Sequence, residues 1–177
     1  KFTDKLNGKI YGIEPGNDGN RLIQNMIDKN AFGLGKFKVV ESSEAGMLAA
    51  VDRAVRRNEA VVFFGWAPHP MNVNVKMTYL TGSDDALGPN EGSATVWTVT
   101  APKYAEQCPN IGRLLSNLTF TAEDESRMMQ PLLDHKDAFE SAKQWLKDHP
   151  QDKQRWLEGV TTFDGKPAAD NLKLTSK

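Results

Sequence analysis

The sequence predicts an α/β fold, and three observations carry that prediction. Between residues 9 and 64, short apolar runs alternate with stretches of helical periodicity. The runs are rich in β-branched and aromatic residues, whereas the stretches between them space apolar residues three and four apart. One run, Val61-Val62-Phe63-Phe64, is apolar throughout, the pattern of a strand buried on both faces.

Lys1 to Gly8 is a polar lead-in, and Lys9 to Ile13 reads as the first strand. Glu14-Pro15-Gly16-Asn17-Asp18-Gly19 stops it with turn residues, among which Asn17 and Asp18 are good helix N-caps. Leu22, Ile23, Met26 and Ile27 then recur at helical spacing, so a helix is expected from about Asp18 to Lys29. Phe37 to Val40 is the second strand. Ser42 and Ser43 are placed to cap a helix with the apolar face Met47, Leu48, Val51 and Val55. Its end is basic at Arg53, Arg56 and Arg57, which suits the negative end of a helix dipole. Ala60 to Phe64 is the third strand. This alternation calls for a mainly parallel sheet with helices on its faces.

Further strands are expected at Lys76 to Leu80 and Ala94 to Val99, separated by a loop from Thr81 to Gly92. From Pro109 the chain reads as helical. Ile111, Leu114, Leu115 and Leu118 form one face, and Thr121 to Asp124 match a capping box ahead of Met128, Met129, Leu132 and Leu133. Ala138, Ala142, Trp145 and Leu146 form another stripe, and a last short helix holds Trp156 and Leu157. The chain thus divides into a sheet-forming part, residues 1–92, and a mostly helical part, residues 93–177.

With 177 residues and a net charge of −1, the chain carries no basic stripe of the kind that binds nucleic acid. Its mean hydropathy is −0.53, and no apolar run approaches the length of a membrane span. The chain starts at Lys1 without a charged-then-apolar leader. Cys108 stands alone, either a buried free thiol or half of a bridge whose partner lies outside this sequence. Catalytic patterns are missing: there is no nucleophile elbow beside His69, no H-E-x-x-H, no C-x-x-C and no Walker loop. Asp84 and Asp85 are adjacent on a loop, an arrangement that rarely makes an acid–base pair. The chain is read as no enzyme, with no metal and no cofactor.

Binding fits better. The third strand breaks at Gly65 and delivers Trp66 before Ala67-Pro68-His69-Pro70 bars both helix and sheet. The first strand delivers the Asn17 loop. Both loops follow the carboxyl ends of parallel strands, where open α/β sheets place ligands. A tryptophan face attracts cations, and a quaternary ammonium is the easiest of these to desolvate. An asparagine amide can read a hydroxyl or carboxylate at the ligand's other end. The alternative for Trp66 is a plain core role.

Several words in the chain resemble one family. Lys5-Leu6-Asn7-Gly8-Lys9-Ile10-Tyr11-Gly12-Ile13-Glu14-Pro15-Gly16-Asn17-Asp18-Gly19-Asn20-Arg21 is similar to the start of the second lobe of bacterial choline-binding proteins. So are Glu41-Ser42-Ser43-Glu44, Gly65-Trp66-Ala67-Pro68-His69-Pro70-Met71-Asn72, Gly88-Pro89-Asn90 and Gly159-Val160-Thr161-Thr162-Phe163-Asp164-Gly165. These are the substrate-binding components of ABC importers for choline, glycine betaine and carnitine. The resemblance implies a type II periplasmic binding-protein-like fold. Residues 1–92 would form one complete α/β lobe, and residues 93–177 the helical return portion of the other lobe. It implies that Trp66 is one wall of an aromatic ammonium box and that Asn17 hydrogen-bonds the choline hydroxyl. The family's remaining site residues, further aromatic rings and an aspartate, precede the stretch that matches Lys1. Trp97, Trp145 and Trp156 fall outside the motifs and are expected to be structural.

The leading expectation is delivery of choline or a relative to an ABC transporter permease in the periplasm. A second reading, from another class, is an assembly module in which unpartnered elements form a swapped dimer with little ligand affinity of its own. A third, a transfer enzyme using His69, predicts that His69→Ala abolishes a turnover.

Overall fold

The computed structural model describes residues 2–171. The chain falls into two compact units, Lys1–Ala67 with Asn74–Ala94, and Pro68–Val73 with Thr95–Lys177.

In the first unit, β1 (Lys9–Tyr11) and α1 (Asp18–Asp28) are followed by a single 3-10 turn (Ala31–Gly33), β2 (Lys38–Val40) and α2 (Glu44–Arg56). The two strands run parallel, with Ile10 opposite Val39. On its other side β1 meets the third apolar run through one parallel bridge, Tyr11 to Phe63. The Tyr11 N–H donates to Val62 O (2.9 Å) and the Phe64 N–H to Tyr11 O (2.7 Å). β1 is therefore the middle of the ladder. The expected third strand, Ala60 to Phe64, contracts to that bridge; Ala60 is exposed, and Val61 to Phe64 are half-buried rather than buried on both faces. The physical reason is pairing on one side only: among the described residues no further strand lies beyond it.

Ile10, Ile23 and Ile27 form the buried centre of this unit, with Met26, Phe37, Val39, Val62 and Phe64 packed around them. Met47 and Val51 are fully buried on α2. The buried stripe of α1 is Gly19, Asn20, Ile23 and Ile27, so Leu22 turns out to be exposed. The cap expected at Ser43 forms, its Oγ accepting from the Gly46 N–H at 3.1 Å. A cavity of about 250 Å³, lined by Lys5, Asn7, Lys9, Tyr11, Glu59 and Val62 among others, opens at the amino-terminal edge of the ladder.

The loop from Thr81 to Gly92 contains one helical turn, α4 (Asp84–Leu87), and a 3-10 turn (Pro89–Gly92). Another turn, α3 (Met71–Asn74), lies ahead of it. Two strand expectations fail. Lys76 to Leu80 is irregular, with Leu80 76% exposed. Ala94 to Val99 is not in a strand either, and Val96, Trp97 and Val99 are 93%, 77% and 88% exposed. Both segments have strand-like composition, but a strand exists only where a ladder partner does, and none is present among the described residues. Trp97 consequently has no core role here.

The second unit is helical. It comprises α5 (Tyr104–Gln107), α6 (Pro109–Asn117), α7 (Ala122–Leu133), α8 (Ala138–Asp148), α9 (Pro150–Trp156) and a last turn, α10 (Ala168–Asn171). The predicted capping box opens α7: the Asp124 N–H donates to Thr121 Oγ1 and the Thr121 N–H to Asp124 Oδ2, both at 3.1 Å. Asp137 caps α8 by accepting from the Glu140 N–H (2.9 Å). Trp156 is buried against Phe120, ring centroids 5.0 Å apart, and its indole N–H donates to Thr119 O (3.2 Å). Trp145 stacks on His149 at 3.7 Å, and its indole N–H is buried without an acceptor among the described residues. His69 is buried in this unit: its N–H donates to Ser126 Oγ (3.0 Å), and its Nδ1 accepts from the Met71 N–H (3.0 Å). The imidazole holds a turn together through Nδ1. Cys108 is exposed and free, not buried. No helix among the described residues is long and apolar enough to cross a membrane.

Candidate functional site

The site is built on the loop that follows β1. Gly16 adopts a φ of 84°, a left-handed conformation that glycine takes without steric cost, and this turns the chain into α1. Asn17 is the N-cap. Its Oδ1 accepts from the Gly19 N–H at 2.8 Å, satisfying one of the orphan donors of the first turn. That bond also fixes which way the amide faces. With Oδ1 accepting from the helix, the donor capacity of the Asn17 amide lies at Nδ2.

Asn20 holds the loop from beneath. It is 2% exposed, its Oδ1 accepts from the Ile13 N–H (3.0 Å), and its Nδ2 donates to Ile13 O (3.0 Å) and Glu14 O (3.1 Å). Nδ2 also reaches Glu41 Oε1 at 3.1 Å. Gly12 leaves the space for this amide: a β-carbon there would come within 3.0 Å of both Asn20 and Val39. Glu14 in turn accepts from the Glu44 N–H at the start of α2 (2.9 Å), and that backbone donor holds its carboxyl below the usual range. The loop is thus fastened at Ile13, Glu14 and Asn17 to two helices.

Trp66 sits half-buried past the third run, its ring tilted 36° against Phe64 with centroids 5.8 Å apart. Phe64 also covers Gly19: a β-carbon at Gly19 would come within 2.8 Å of three carbons of the ring. The structure therefore joins the two sequence-predicted residues through one aromatic ring. Asn17 binds the Gly19 N–H, Gly19 carries Phe64, and Phe64 carries Trp66. Asn17 and Trp66 both lie past the carboxyl ends of their strands, on the edge opposite the cavity near Lys9.

Sequence reasoning passed over Asn20 and Phe64. Asn20 left a readable signal, a polar residue on the stripe that continues through Ile23 and Ile27. Phe64 left a fainter one, a glycine inside the first turn of a helix, where alanine is preferred unless something approaches closely. Among the described residues no group of three or more His, Cys, Asp or Glu side chains is placed to hold a metal.

Comparison with known proteins places this geometry in context. The family model described as the substrate binding domain of ABC-type glycine betaine transport systems matches residues 1–148. A glycine betaine/carnitine transport binding protein of Listeria monocytogenes is 29% identical over 172 residues, covering 97% of this chain and 55% of its own. A solved ABC-transporter choline binding protein in complex with choline is 53% identical, with a TM-score of 0.64 over 96% of this chain and 59% of that one. Lactococcal OpuAC, in its closed-liganded conformation with glycine betaine, is 25% identical with a TM-score of 0.57, covering 85% and 57% of the two chains. The chain spans little more than half the length of these relatives.

Proposed function

The chain belongs to the family of substrate-binding domains of ABC-type glycine betaine transport systems, and from that premise we propose that it serves to bind choline or a close quaternary ammonium compound for import. Its fold is type II periplasmic binding-protein-like, and the relatives it matches are transport binding proteins, not enzymes.

In this reading the face of Trp66 takes the ammonium by cation–π attraction. A quaternary ammonium cannot donate hydrogen bonds, so transfer from water onto an indole costs it little. Asn17 donates from Nδ2 to an oxygen at the ligand's other end, a hydroxyl in choline or a carboxylate in glycine betaine and carnitine. Residues 1–92 act as the ligand-binding lobe and residues 93–177 as the return portion of the other. The loaded protein meets the permease of the importer in the periplasm.

What supports the reading is one arrangement: an amide oriented by its helix and an indole, seated on a common ring at one sheet edge. The chain that carries it is 53% identical to a protein solved with choline. Calorimetric titration with choline, glycine betaine and carnitine tests it. Binding of at least one ligand, lost on Trp66→Ala, is the expected result. Unchanged affinity in Trp66→Ala would overturn the assignment.

A further inference from the structure

We propose that Phe64 is a positioning residue that sets the separation between the Asn17 amide and the Trp66 face, and so selects ligands by the length between ammonium and oxygen. The inference rests on the function proposed above and deepens it.

The argument starts from Gly19. It is buried within the first turn of α1, where glycine is disfavoured by about 1 kcal/mol relative to alanine. Alanine would not fit, because its β-carbon would collide with three atoms of the Phe64 ring. The glycine therefore serves the ring's approach to the helix. The same residue's N–H holds the Asn17 Oδ1 at 2.8 Å, so displacing Gly19 turns the amide. The other side of Phe64 meets Trp66. Its own backbone is pinned to Tyr11 O at 2.7 Å, and its ring packs on the buried isoleucines of the unit. Phe64 is thus a fixed spacer with one binding residue referenced to each side. A ligand that grips Trp66 by its ammonium and Asn17 by an oxygen has to match that spacing. Glycine betaine, choline and carnitine differ in it while sharing the ammonium.

Phe64→Leu keeps an apolar side chain but removes the ring. Phe64→Met is a second variant in case the first folds poorly, and Phe37→Leu trims the same core at another residue packed on the buried isoleucines. Two readouts are needed. Affinities for the three ligands should change unequally in Phe64→Leu, the choline-to-carnitine ratio moving by about threefold to tenfold, the range that loss of one aromatic pair allows. In Phe37→Leu all three should change by one common factor. Amide spectra without ligand should show the Asn17 side-chain N–H₂ and the Trp66 indole N–H moving together in the Phe64 variants and staying put in Phe37→Leu.

A uniform loss of affinity in the Phe64 variants, matching Phe37→Leu, would overturn selection by spacing. Spectra in which Trp66 moves while Asn17 does not would overturn the common seat. If the unsubstituted protein binds none of the three ligands, the function above and the selectivity fall together, while the spectra still decide whether Phe64 positions both residues.

Discussion

Replacing Asn20 with alanine removes the fastening under the Asn17 loop, and its cost follows from the burial of each partner. Ile13 is buried; its N–H loses its partner, whereas its C=O still accepts from the Ser42 N–H at 3.1 Å. Leaving a buried backbone group unpaired costs about 1–3 kcal/mol. Glu14 and Glu41 are exposed, so water replaces the amide at their oxygens and they add little. One orphaned donor and the loss of the amide's other bonds give about 1–3 kcal/mol, a sizeable share of the stability of a domain this size. Urea denaturation measures it: the midpoint should fall while the slope stays constant, the sign of lost stability rather than a changed unfolded state. A loss below about 1 kcal/mol at constant slope would show that the four bonds to Asn20 do not carry the loop. Asn20→Asp sharpens the test. A carboxylate there faces Ile13 O, Glu14 O and the Glu41 carboxylate with no proton to offer, so its folded pKa is raised. A raised acid is neutral in both states below the unfolded value of about 4, and its penalty grows as pH rises above that. The aspartate variant should therefore fall progressively behind the wild type between about pH 4 and pH 7.

Other expectations follow from local geometry. The Thr121 hydroxyl, followed by the Thr121 N–H, holds Asp124 below the usual carboxylate range, so the stability this pair lends is complete above about pH 4 and lost as pH falls through the lowered value. Thr121→Ala should cost about 1 kcal/mol and return the Asp124 titration, followed by carboxyl NMR, toward its ordinary value. Trp156→Phe surrenders the bond to Thr119 O, whereas Trp145→Phe removes a buried donor that has no acceptor among the described residues. Thermal unfolding should therefore show the Trp156 variant as the weaker, and the reverse order would contradict both assignments. Val96→Thr with Val99→Thr should leave the unfolding midpoint within about 0.5 kcal/mol of wild type, since both side chains are exposed. A marked drop would mean that these side chains are covered in solution.

The helices and their caps were legible because the forces that make them are local. Ser43, Thr121 with Asp124, and Asn17 act within a few residues of sequence, and the apolar stripe of α7 follows its capping box directly. Strands were legible only where a partner is present: Lys38 to Val40 finds β1, whereas Ala94 to Val99 has the right residues and no ladder. Composition records a preference for the pleated state, not whether anything will pair with it. At the candidate site, Trp66 and Asn17 stood out because each follows a strand. Their connection did not, because it runs through Phe64 and Gly19, which are 45 residues apart in sequence and meet only through folding. Asn20 was hidden for a related reason. Its four bonds go mostly to backbone groups, and backbone groups leave no trace in the identity of a residue.

Cys108 has a practical consequence. It is the sole cysteine of the 177 residues, and it is exposed at the junction where α5 hands over to α6. A lone accessible thiol has no partner within these residues, so in a polypeptide of these 177 residues oxidation can join it only to another molecule. Preparations kept without reductant will accumulate a covalent pair through a single sulfur–sulfur link, visible on a non-reducing gel and erased by dithiothreitol. The same thiol is a ready-made attachment point, one maleimide dye per chain, at a position remote in sequence from both Asn17 and Trp66.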